Sequence, residues 1–214
     1  MGRQRVRMRR AGALLAAAGL AALAMTGSAA APAGAASTAA AARTPGVWGW
    51  GSNNYGQVGN GTYGELPTPV TVTMPGPVAQ LAAGSEDSAA VLTDGRLATW
   101  GGAFYCLLGS GASAPERSVP TVLPGLTGMV QAAIGLDHVL ALGSAGTVWS
   151  WGTNAFGQLG NGTTSSVSCP GPVPVPVPGL TGITQVSAGL NFSLARKSDG
   201  TVWAGGRERQ GPAG

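Results

Sequence analysis

A Trp-Gly pair recurs along most of this chain at a nearly constant interval, and that interval leaves few folds open. Gly51, Gly101, Gly152 and Gly206 stand 50, 51 and 54 residues apart, and the first three follow Trp50, Trp100 and Trp151. In two copies the run reads Trp-Gly-x-Asn-x-x-Gly-Gln-(Val/Leu)-Gly-Asn-Gly-Thr, from Trp50 to Thr62 and from Trp151 to Thr163. A unit of this size cannot bury its apolar face alone, so the period predicts a stacked or circular array. Such arrays present extended surfaces to partners, and binding is the function class they favour.

A second half-motif keeps the same phase. It runs from Gly84 to Leu97, Gly135 to Val148 and Gly189 to Val202, a spacing of 13 each time. The distance from the last Gly of the first motif to this Gly is 25, 26 and 29 residues (Gly59 to Gly84, Gly109 to Gly135, Gly160 to Gly189). All length variation therefore falls in one loop per repeat. Constant spacing marks paired strands, and the variable stretch marks surface.

Ser88 to Leu92, His138 to Leu142 and Phe192 to Ala195 read as short apolar strands. Each meets a second strand (Leu97 to Trp100, Thr147 to Trp151, Thr201 to Ala204) across Asp-Gly or Ala-Gly. Asp-Gly between apolar runs is a hairpin signal, because Gly tolerates the positive φ of a tight turn. Val78 to Ala83, Val130 to Ile134 and Ile183 to Ala188 supply a further strand upstream. The expectation is a small antiparallel sheet per repeat, the unit of a β-propeller blade. No helical period appears after residue 45.

These motifs resemble the regulator of chromosome condensation repeat, whose proteins form a seven-bladed β-propeller. The resemblance covers Val47 to Gly214 and implies an all-β fold of antiparallel blades. Kelch repeats share a similar period, but here Gly101-Gly102 and Gly205-Gly206 fall in the Trp-Gly column rather than after an apolar strand. About three repeats are present, and Val47 enters in mid-repeat. Near the other end Gly205 occupies the Trp column and Pro212 the Gln column. The array is thus expected to be incomplete relative to a seven-bladed ring. It is either a truncated reading frame or a piece whose copies associate to complete a ring, since propellers close with about four to eight blades.

Residues 1–35 read as a secretory signal peptide: Arg3, Arg5, Arg7, Arg9 and Arg10, an apolar run from Ala11 to Met25, then small residues with cleavage expected near Ala30. That apolar run is short for a membrane span, which needs about 20 residues. Residues 36–46 read as a flexible lead-in, and 47–214 as the repeats. The formal charge of +4 belongs to the leader, because past residue 35 seven basic residues face eight acidic ones. Without a basic stripe, nucleic acid loses its warrant as a partner. Secretion suits two cysteines, Cys106 and Cys169, which both occupy the connection after the Trp-Gly strand. A disulfide between them and two separate thiols are the two readings.

Little in the chain points to chemistry. His138 shares a strand-opening column with Asp87 and Phe192 and reads as a packed structural residue; the resemblance implies the same. One His and two cysteines outside any ligand motif do not make a zinc site. Gly59 to Gly64 matches Gly-x-Gly-x-x-Gly but precedes no helix, so it fails as a dinucleotide loop. Asp94 and Asp199 read as turn residues, and Asn60 and Asn161 as turn formers rather than glycosylation sites. Glu86, Asp87 and Asp137 recur near the Ala-Gly turn and read as a solvated rim, with a cation or basic partner as the alternative. Trp48, Trp149 and Trp203 form one column and Trp50, Trp100 and Trp151 another, read as stacking between blades. No catalytic residue, cofactor or metal is nominated.

The expectation is a secreted, non-enzymatic binding module. It would present Thr62 to Pro69, Ala112 to Pro120 and Thr163 to Pro174 to a protein, such as an exported enzyme, or to an extracellular glycan. The resemblance also implies an alternative, guanine-nucleotide exchange on the GTPase Ran and chromatin binding, as in the family's founding nuclear member. A third reading is a fragment of a longer repeat protein without a function of its own.

Overall fold

The computed structural model describes residues 46–111, 115–166 and 174–207. The leader, nearly all of the lead-in, and Cys169 lie outside the described residues. Among the described residues thirteen strands form four antiparallel sheets. The first sheet pairs β1 (Val47–Gly51) with β2 (Leu66–Val72). The second runs in order β3 (Val78–Ala83), β4 (Asp87–Leu92), β5 (Leu97–Gly101), β6 (Arg117–Val122). The third repeats that order with β7 (Met129–Ile134), β8 (His138–Gly143), β9 (Val148–Gly152) and β10 (Val175–Pro176). The fourth holds β11 (Ile183–Ala188), β12 (Phe192–Lys197) and β13 (Val202–Gly206). These sheets are the expected blades.

Each β4-type strand meets its β5-type partner through the predicted tight turn. Gly95, Gly146 and Gly200 sit at φ +82, +77 and +82, where a side chain would be strained. The register confirms the repeat columns: Ser88 lies opposite Trp100, Val139 opposite Trp151 and Ser193 opposite Gly205.

The strands β4 and β8 are apolar without alternation because both of their faces are buried. In β8, Val139 and Ala141 join Ala89, Val91, Leu97 and Trp151 in the core between the second and third blades. Leu140 and Leu142 point the other way, to Val148, Ile183, Val186 and Ala195 between the third and fourth. A period of two thus sends alternate residues into two separate cores.

A polar joint accompanies each core. The Gln80 side chain donates to Ala132 O (3.1 Å) and accepts from Ala132 N (2.8 Å), which fastens β3 to β7. Gln131 repeats this on Val186 O and N (2.9 and 3.0 Å), fastening β7 to β11. The amide imitates a neighbouring strand and satisfies backbone groups that the sheet cannot reach.

One expectation needs adjustment. Part of the stretches read as variable loop is strand, since β2 begins at Leu66 and β6 at Arg117. Pro67, Pro69 and Pro120 lie in these strands. They are tolerated because these are outermost strands, where a missing N–H costs no ladder bond.

Candidate functional site

Both the motif loop after each β5-type strand and the Ala-Gly turn before each β4-type strand lie at the same end of the sheets. Backbone bonds tie them together: Gly102 N donates to Glu86 O (2.7 Å), Thr153 N to Asp137 O (2.7 Å) and Arg207 N to Asn191 O (2.9 Å). This rim carries the motif loops, whereas the opposite rim carries the tight Asp-Gly and Ala-Gly turns together with the connections 73–77, 123–128 and 177–182.

One asparagine shapes each intact loop. Asn53 Oδ1 accepts from Val58 N (2.9 Å), and its Nδ2 donates to Thr62 O (2.9 Å). Asn154 does the same with Leu159 N (3.1 Å) and Thr163 O (3.0 Å). Asn60 and Asn161 cap the loop ends by accepting from the N–H and hydroxyl of Thr62 and Thr163. This is the turn role expected of them. Gln57 and Gln158 then accept from Tyr55 N (3.0 Å) and Phe156 N (2.9 Å), which fixes an aromatic residue at the loop apex.

The second loop reaches a similar end by other means. Ala103, Cys106, Leu107 and Ser110 replace the Asn, Gly, Gln and Asn of the motif. A 3-10 turn, Phe104–Cys106, forms instead, with Tyr105 and Cys106 at φ 54 and 62. Phe104 meets Tyr55 of the first loop edge to face at 5.0 Å, and Arg207 lies 4.9 Å above the Phe156 ring. Exposed Phe104, Tyr105 and Phe156, with Leu136 and Leu190 of the turns, make the rim apolar and aromatic. The aromatic column (Tyr55, Tyr105, Phe156) was readable one place before the Gly column, but sequence reasoning did not single it out.

Beneath the rim lies the column of Asp87, His138 and Phe192. His138 is fully buried, and its Nε2 lies 2.9 Å from Ser193 Oγ of the next blade. Ser193 Oγ donates to Gln158 O (2.7 Å), so its proton is committed and Nε2 carries the donor hydrogen. Burial holds His138 down at about 4, and the structural role expected of it stands. For Asp87 the solvated-rim reading is corrected: the residue is 3% exposed. Its counterpart partner in the next blade is Val139, which offers no hydroxyl, and Asp87 Oδ1 has no hydrogen-bond partner. Desolvation raises its carboxyl to about 7, with smaller contributions from Glu86 and Asp137. Asp137 is also raised by burial. Asp94 and Asp199 are the expected turn residues, accepting from Arg96 N and Thr201 N.

The tryptophans divide by position. Trp100 and Trp151 are 3% exposed, and each donates Nε1 to the preceding loop, Trp100 to Gln57 O (2.9 Å) and Trp151 to Leu107 O (2.8 Å). Gly59 and Gly109 make room for them: a Cβ on Gly59 would lie 2.6 Å from Trp100 Nε1, and one on Gly109 3.3 Å from Trp151 Nε1. Trp48 and Trp50 are 56% and 63% exposed. Cys106 is buried beneath the second loop. The pairing expected of it involves Cys169, outside the described residues. Among the described residues no group of three or more His, Cys, Asp or Glu could hold a metal ion, and no helix is long and apolar enough to cross a membrane.

Residues 46–91, 94–142 and 145–196 match the Regulator of chromosome condensation (RCC1) repeat, and a second description of that repeat matches 129–158 and 183–211. The E3 ubiquitin-protein ligase HERC2 of Homo sapiens is 34% identical over 176 residues, 78% of this chain and 4% of the ligase. The ultraviolet-B receptor UVR8 of Arabidopsis thaliana is 33% identical over 172 residues, 78% of this chain and 38% of the receptor. Human WBSCR16 superposes with a TM-score of 0.64 at 27% identity, covering 75% of this chain and 43% of that one. Prp20p of Saccharomyces cerevisiae, whose structure is described with its binding properties to Gsp1p and histones, gives 0.63 at 27% identity over 76% and 40%. This chain spans under half the length of each of these proteins. Its three matched stretches take in most of its own residues, each running from the last two strands of one sheet through the first two of the next, and the chain belongs to the RCC1 repeat family.

Proposed function

We propose that this protein is a secreted, non-enzymatic module that binds another protein through the rim of motif loops. The observation that carries this reading is the contrast between the two rims. One carries the motif loops and holds Phe104, Tyr105 and Phe156 exposed on hydrogen-bonded or strained backbone, while the other carries tight turns and the connections 73–77, 123–128 and 177–182, where Leu123 and Leu126 are buried. Aromatic side chains on a rigid backbone lose little entropy on docking and are the usual anchors of protein interfaces. Leu136 and Leu190 extend the surface with aliphatic groups, which suit an apolar protein surface better than a glycan.

Prp20p is described as binding Gsp1p and histones, which supports protein recognition as the coarse function of this architecture. Ligase activity does not transfer from HERC2, since only 4% of that protein is matched. Secretion rests on the leader at 1–35 and on the near-neutral repeat region. In an oxidising compartment Cys106 and Cys169 would pair and tie the second loop to the variable loop of the next repeat.

Two measurements test the reading. Intact-mass spectrometry of protein recovered from the medium should show loss of the first ~30 residues, and a mass two protons below the reduced form. Exported proteins captured on the immobilised chain should be lost with the Phe104→Ala, Tyr105→Ala, Phe156→Ala triple variant and retained with Asp94→Ala on the opposite rim. Equal capture by both variants would remove the rim from consideration.

A further inference from the structure

The Ala-Gly turns that lead into β4 and β8 bring Glu86, Asp87 and Asp137 to the rim that carries the motif loops. Glu86 and Asp137 are half-buried, and Asp87 lies beneath them at 3% exposed. They are close enough to act on one another: after desolvation, Glu86 and Asp137 are what raise the Asp87 carboxyl. No cation of the chain answers them. The ion pair Arg96–Asp94 sits on the opposite rim, and among the described residues no Lys or Arg pairs with any of the three. The cations of the motif-loop rim meet other groups. Arg117 Nη2 donates to Ser110 Oγ (2.9 Å), and Arg207 lies over the Phe156 ring.

A buried oxygen points the same way. Asp87 Oδ1 has no hydrogen-bond partner and folds back over its own turn, where a Cβ on Gly84 would meet both it and Ile134 Cγ2 of the next blade. The backbone around it is fixed, since Gly84 N donates to Asp87 O (2.9 Å) and Gly102 N to Glu86 O (2.7 Å). A carboxylate held in this way is costly unless a positive charge comes near it. The neighbours select which charge. Phe104 stands beside Glu86, because a Cβ on Gly102 would lie 2.9 Å from its ring and 3.3 Å from Glu86 O. Exposed Leu136 directly precedes Asp137. A guanidinium is planar, can bridge separated carboxylates with its five donors, and stacks on an aromatic face, which an ammonium does less well. A bare metal ion fits poorly, since no three acidic groups among the described residues are placed to hold one.

Building on the reading of this rim as the binding surface, we infer that it seats an arginine side chain of the bound protein on Glu86 and Asp137. Phe104 and Leu136 lie against the arginine stem, and Asp87 beneath gives up its proton to solvent as the guanidinium arrives. The sign of the pH dependence follows. Unbound Asp87 is half-ionised at about 7, and a guanidinium nearby lowers it by roughly one to three units. Affinity is therefore weak near pH 6 and rises through 7 to a plateau near 8, a gain of about five- to tenfold. His138 holds the same column in the third blade, but it is buried, neutral above about 4 and bonded to Ser193 Oγ, so it contributes nothing in that window.

The probe is the peptide acetyl-Leu-Arg-Leu-amide, titrated into the purified chain and followed by amide NMR shifts, with the citrulline peptide as the uncharged control. Saturable shifts at residues 84–87 and 135–138 are expected from the arginine peptide alone, tightening about five- to tenfold between about pH 6 and 8. Glu86→Gln with Asp137→Asn should abolish them without unfolding the chain, since it is the backbone of both residues that ties the loops. Asp87→Asn should keep binding and flatten its pH dependence, which a merely structural role would not do. No shifts at the turns, equal shifts from the citrulline peptide, or a pH dependence that survives Asp87→Asn would overturn the inference. So would capture of exported proteins that is lost in the Phe104, Tyr105, Phe156 triple variant but unchanged in Glu86→Gln with Asp137→Asn, a result that leaves the rim reading intact. Arginine-specific shifts alongside capture indifferent to the triple variant would support the seat and remove the rim aromatics instead.

Discussion

The second and third blades have the same strand order and the same joint to their neighbours, yet they share few of the residues that hold their loops. In the third, Asn154, Gln158 and Asn161 build the loop from side-chain bonds to backbone. In the second those positions are Ala103, Leu107 and Ser110, and a 3-10 turn with two non-glycine residues at positive φ stands in. Leu107 is buried in the apolar core, while its carbonyl still receives the Trp151 indole. What the array requires of a loop is therefore a Gly and a carbonyl placed to receive the next Trp. The means of placing them are interchangeable.

The largest effects should fall on what both blades share. Trp151→Ala and Trp100→Ala each remove a buried indole and its bond across the joint. Each is expected to cost about 3–5 kcal/mol in urea unfolding, and a large gap between the two would break the equivalence of the joints.

Next come Asp87 and His138, which occupy one column and titrate in opposite senses. Asp87 is raised to about 7. Its stability contribution is fully present below its unfolded pKa near 4 and is lost as pH rises towards 7. His138 is lowered to about 4. Its contribution is present above about 6.5 and is lost as pH falls towards 4. Between those limits the two slopes oppose each other, so the stability of the wild-type chain should vary little there. Asp87→Asn should unmask stability that rises with pH and should stabilise the protein by roughly 2–4 kcal/mol at pH 8. His138→Phe, which installs the Phe found at position 192, should leave stability falling with pH. Urea midpoints from pH 4 to 8 measure both, and parallel curves for the two variants would refute the opposition.

A smaller effect separates the loops. Asn154→Ala leaves Leu159 N–H and Thr163 O without their partner and should cost about 1–3 kcal/mol. Ala103→Asn should change stability by less than about 0.5 kcal/mol, because the second loop offers no matching geometry. The least should come from Tyr105, exposed at φ 54. Tyr105→Asn, a residue that tolerates this conformation, should gain roughly 0.5 kcal/mol, read as a small rise in the thermal midpoint.

The hairpins were legible because Asp-Gly turns and constant spacing are local signals. The outer strands were not, since Pro67, Pro69 and Pro120 normally argue against strand and the edge position that excuses them is a tertiary fact. Asp87 was misread for a related reason. Its own type predicts solvent, and only the blade that packs over it makes it buried. The glutamine joint left a signal that went unread: Gln80, Gln131 and Gln185 recur in one column at 51 and 54 residues. Its meaning depends on a neighbour's backbone, which no single repeat reveals.

That joint has an evolutionary corollary. Each glutamine grips the main chain of the following repeat, Ala132 in one case and Val186 in the other, and so makes no demand on side-chain identity at the point it holds. A repeat can then be duplicated, deleted or moved along a gene without rematching that bond. Length variation between related arrays is what such a connector permits.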